Sequence, residues 1–68
     1  MTYTVVIERA PHNYAAYVPD LPGCVATGVS IEEVKQNIRE AIVWHIEALR
    51  EDDVPIPEPR STATLIEV

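Results

Sequence analysis

From Ser30 to about Glu51 the chain repeats on a helical period. Ile31, Val34, Ile38, Ala41, Ile42, His45, Ala48 and Leu49 fall three and four positions apart and form one largely apolar stripe. About twenty residues at roughly 1.5 Å each predict a rod on the order of 30 Å long, enough to cross a small sheet. Its start is marked by Ser30-Ile31-Glu32-Glu33, which has the form of a capping box. The Ser30 hydroxyl is set to accept from the Glu33 N–H, and the Glu33 carboxylate to reach back to the N–H of Ser30. Glu32 and Glu33 also put negative charge where the helix dipole favours it.

Before the helix the period shortens to two. Thr2–Glu8 is rich in β-branched and aromatic residues, with Tyr3, Val5 and Ile7 on one face and Thr4, Val6 and Glu8 on the other. Ala10-Pro11-His12-Asn13 supplies turn formers, and Tyr14–Val18 reads as the return strand of a hairpin. Pro19-Asp20-Leu21-Pro22-Gly23-Cys24 follows as a tight loop. Pro22 drives Leu21 toward extended backbone, and Pro22-Gly23 suits the centre of a type II turn, where Gly23 accepts positive φ. The loop is expected to hold Leu21 at an exposed corner with Asp20 beside it. Cys24–Gly28 reads as a third strand.

After the helix, prolines 55, 57 and 59 alternate with other residues and predict a stiff extended connector. Ser61–Val68 is β-rich and reads as a fourth strand. The predicted fold is α+β in two layers, β-β-β-α-β. Its mixed four-stranded sheet has the order 3-2-1-4, reached by a right-handed crossover, with the helix on one face. The other face, carrying Val6, Ala16 or Tyr17, and Ile66, is left without a second layer. That exposure predicts a partner or a second copy.

Composition narrows the function. Sixty-eight residues make one domain near the lower limit for an unstapled core. A single cysteine forbids an internal disulfide, no Cys–His clusters suggest zinc, and no cofactor motif is present. Oligomerisation is the remaining common staple, so a homo-oligomer, a dimer or tetramer, is expected. With no leader pattern and no membrane-length apolar run, a soluble cytoplasmic protein is expected. The net charge of −6, with only five Lys and Arg, argues against direct nucleic-acid binding and suits steering toward a basic partner.

Residues 17–24, Tyr-x-Pro-Asp-Leu-Pro-Gly-Cys, then Gly28 and Ser30 opening a helix with Glu33, resemble the HicB-like antitoxins. Glu40-Ala41-Ile42-x-x-His45-Ile46-x-x-Leu49 and Ile56-Pro57-x-Pro59 fit the same pattern, so the resemblance spans nearly the whole chain. It implies a partial RNase H-like fold of three strands, a helix and a strand. It also implies a type II toxin–antitoxin role, in which such proteins bind and block a small basic mRNA-cleaving toxin of the HicA type. Many members carry a further C-terminal DNA-binding domain for autorepression. This chain matches the short form, of which that activity is not expected.

Candidate residues divide accordingly. An RNase H-type nuclease needs converging carboxylates, one of them in the middle of the first strand, where Val5 and Val6 stand here. Neither His12 nor His45 has a plausible triad partner. No catalysis and no metal are therefore expected. Asp20, Leu21 and Pro22 are read as a rigid acidic corner for a basic toxin, against the plainer reading of a tight turn. Trp44 lies on a polar helix flank, either as an interface anchor or as cover for the helix edge. Gly23, Ser30, Glu33 and His45 are read as structural. The alternative to an antitoxin is an orphan self-associating regulatory module with a different protein partner.

Overall fold

A computed structural model describes residues 1–68. Three short strands, β1 (Val6–Arg9), β2 (Tyr14–Tyr17) and β3 (Val25–Gly28), form an antiparallel meander in the order β1-β2-β3. One helix, α1 (Ile31–Glu51), follows. The register pairs Ile7 with Ala16 and Ala16 with Ala26, and next to them Val6 with Tyr17 and Tyr17 with Val25. Alternation therefore puts Ile7, Ala16 and Ala26 under the helix, and Val6, Tyr17 and Val25 on the open face. Ala16, which the sequence left as a candidate for the open face, is buried beneath α1.

The helix begins as its capping box requires. Ser30 is extended and its Oγ accepts from the Glu33 N–H at 3.1 Å. Glu33 Oε1 accepts from Val29 N–H at 3.2 Å, one residue earlier than expected. At the far end Asp53 adopts φ of 55°, the left-handed conformation that usually falls to glycine. Asp53 N–H reaches Arg50 O and Val54 N–H reaches Leu49 O, the paired bonds of a Schellman cap. Of the apolar stripe, Val34 and Ile38 are buried, and Ala41, Ile42, His45 and Leu49 are half-buried; Ile31 and Ala48 are exposed.

The core is small: Ala16, Val18, Leu21, Cys24, Val34 and Ile38, with Tyr3, Val5, Ile7, Tyr14, Ala26, Ala41 and Ile42 packed around it. Helix α1 lies across β3 and β2 and meets β1 only at its margin. Its close seat on β3 depends on Gly28, where a Cβ would stand 2.6 Å from the Val34 backbone nitrogen.

The expected fourth strand, and with it the mixed 3-2-1-4 sheet, is absent. Residues 62–68 are exposed and take part in no hydrogen bond. A β-rich sequence becomes a strand only where a ladder partner accepts it, and here the segment projects from the body without one.

Candidate functional site

The Pro-rich loop is built from nested turns. Leu21 N–H donates to Val18 O and Cys24 N–H to Leu21 O, each at 3.0 Å, while Val18 N–H reaches Cys24 O at 3.2 Å. Gly23 has φ of 85°, which the third position of a type II turn demands. This geometry turns Leu21 inward. Leu21 is wholly buried at the centre of the core, so the exposed corner expected of it is corrected. The apolar side chain wins over the outward loop because the chain has few other residues with which to fill its core.

Asp20 is half-buried beside it, and its carboxylate is already engaged. Oδ2 accepts from the backbone N–H groups of Arg60 and Ser61, and Oδ1 from Ser61 Oγ, all at 2.9 Å. The backbone N–H of Ser61, then that of Arg60, hold the Asp20 carboxyl below the usual carboxylate range. Two further bonds fasten the same connector: the Tyr3 hydroxyl donates to Pro57 O at 2.5 Å and Thr4 Oγ1 to Ser61 O at 2.6 Å. Asp20 is thus a clamp joining the loop to the proline segment, a role that the sequence reading missed because its partners lie some forty residues away. Of the loop trio only Pro22 stays exposed, next to the exposed Gly23.

Trp44 is 70% exposed on the outer flank of α1, with Val43, Arg39 and Glu40 around it. Trp44 and Pro22 are the two members of the expected binding set that remain on the surface. Asn37 donates to Thr27 O at 2.8 Å and ties α1 to β3. Burial pushes the Cys24 thiol up, away from reactivity. No three His, Cys, Asp or Glu side chains gather where an ion could be held. No helix is long and apolar enough to cross a membrane.

A small α+β domain with a clamped loop, an unlayered sheet face and an exposed helix flank has the character of a binding module. Comparison places it more closely. Residues 3–68 match the HicB-like antitoxin family of bacterial toxin–antitoxin systems, and the chain belongs to that family. It is 41% identical over 58 residues to a 14.9 kDa protein from the rep-hol intergenic region of Haemophilus phage HP1. That match covers 85% of this chain and only 44% of the phage protein. A UPF0150 protein of Helicobacter pylori is 43% identical over 54 residues, covering 79% of this chain and 75% of the relative. One from Thermoplasma acidophilum is 41% identical over 58 residues, covering 84% of each. In three dimensions the chain is similar to a chain of the HicA3 and HicB3 toxin–antitoxin complex, with a TM-score of 0.75 and 32% identity. That superposition covers 87% of this chain and 70% of the other.

Proposed function

We propose that this protein is the antitoxin of a type II pair, binding a small basic HicA-type ribonuclease and blocking its access to mRNA. The observation that carries the reading is the likeness, in both sequence and fold, to a chain of the HicA3 and HicB3 complex. The physical character of the chain supports it. A net charge of −6 steers the domain toward a cationic partner and competes with the RNA phosphates that such a partner binds. Trp44 supplies a large apolar surface on a rigid helix, the kind of residue on which binding energy concentrates. Pro22 contributes a second fixed point, held in place by the Asp20 clamp and by Leu21 beneath it. The role is occlusion without chemistry: the domain covers the toxin and leaves the RNA intact.

Co-expression tests it. Cells producing a HicA-type toxin encoded beside this protein should resume growth when the antitoxin is supplied, and the two proteins should co-purify. Absence of both rescue and co-purification would contradict the proposal.

A further inference from the structure

Two surfaces of this chain complement each other and, as placed, do not meet. The first is the segment Thr62–Val68. Leu65 is 101%, Ile66 78% and Val68 118% exposed. The radius of gyration of 13.0 Å exceeds the about 11 Å expected of a compact chain of this length. The segment alternates, with Ala63, Leu65 and Glu67 on one side and Thr62, Thr64, Ile66 and Val68 on the other. The second surface is the unpaired edge of β1, which carries free backbone donors and acceptors. Because α1 sits over β3 and β2, an apolar cleft of about 270 Å³ opens beside that edge. Val5, Ile7, Ile38 and Ile42 line it, and Lys35 and Arg39 stand at its rim.

We propose that Thr62–Val68 of one copy adds as a strand to the β1 edge of a second copy, and reciprocally. Leu65 fills the cleft and Glu67 faces Lys35 and Arg39. Thr64, Ile66 and Val68 then extend the open face beside Thr4 and Val6. Charge selects this site: only five Lys and Arg occur in the chain, so two acidic bodies repel everywhere except at such a local match, and two of the five flank this cleft. Main-chain bonding along the edge supplies affinity and the pocket for Leu65 supplies register. The exchange closes on itself about a two-fold axis and goes no further than a dimer. Nothing in it depends on a toxin.

Sedimentation equilibrium of the 68-residue chain, from about 10 to 500 µM, reads the outcome directly. A dimer is expected, and Leu65→Asp should weaken it roughly tenfold or more, with the helical circular dichroism unchanged. Glu67→Lys alone and Lys35→Glu/Arg39→Glu alone should each dimerise poorly, whereas an equimolar mixture of the two should recover the dimer. A chain that stays monomeric throughout, including one whose 62–68 amides become protected by folding back on its own β1, would overturn the proposal. So would a dimer indifferent to these substitutions.

Discussion

At the scale of single residues, Asp20 shows how one carboxylate fixes the relation of two distant segments. Its three acceptor bonds to Arg60 and Ser61 stabilise the ionised form. A carboxyl lowered in this way contributes stability that is present above its unfolded value and is lost as the pH falls through its folded one. The amide signals of Ser61 and Arg60, followed by NMR, should therefore titrate in acid below the usual carboxylate range. In Asp20→Asn that titration should vanish. Gly28 makes a sharper steric prediction. Gly28→Ala sets a methyl group against helix backbone that has no flexible side chain to yield, and should cost about 1–3 kcal/mol in denaturant unfolding. The sequence showed Gly28 in its motif and not its reason, since the constraint exists only once β3 and α1 are packed together. Leu21 was misplaced on similar grounds: turn chemistry predicted the loop well but is silent on which side chain points inward.

Among the elements, α1 was the most legible, because periodicity and cap are local signals and agree with each other. Ser30→Ala should cost roughly 1 kcal/mol through loss of the Glu33 N–H bond. Its other end was placed at about Glu51, where the helix does stop, but the form of the cap was not legible, since no glycine advertises it. Asp53 occupies the left-handed position instead, so Asp53→Gly should stabilise the protein by about 0.5–1 kcal/mol in thermal or denaturant unfolding. Strands β2 and β3 were legible from period-two alternation and turn residues, whereas of the strand expected over Thr2–Glu8 only Val6–Glu8 falls in β1, which runs on to Arg9. The fourth was not, because a strand is a property of a pair of segments, and composition in 62–68 records only half of that pair. The proline connector is held as a stiff extended piece by Tyr3, Thr4 and Asp20, which fixes where the segment starts but not what it meets.

For the whole molecule, a core of six buried apolar side chains is thin, and domains this small commonly gain stability from association. Val25, Tyr17 and Trp44 are exposed and the chain carries an excess of acid, so apolar and charged surface is left free for contacts. The two proposed contact regions separate in their consequences. Trp44→Ala should leave unfolding unchanged, since the side chain is 70% exposed, yet should weaken toxin binding roughly tenfold or more. Leu65→Asp should instead weaken the proposed contact between copies. The most direct test of the antitoxin account is RNA cleavage by the purified HicA-type toxin, titrated with this chain. Cleavage should fall in proportion to added protein and stop near stoichiometry, with Trp44→Ala shifting the endpoint. Undiminished cleavage in the presence of excess protein would contradict the account.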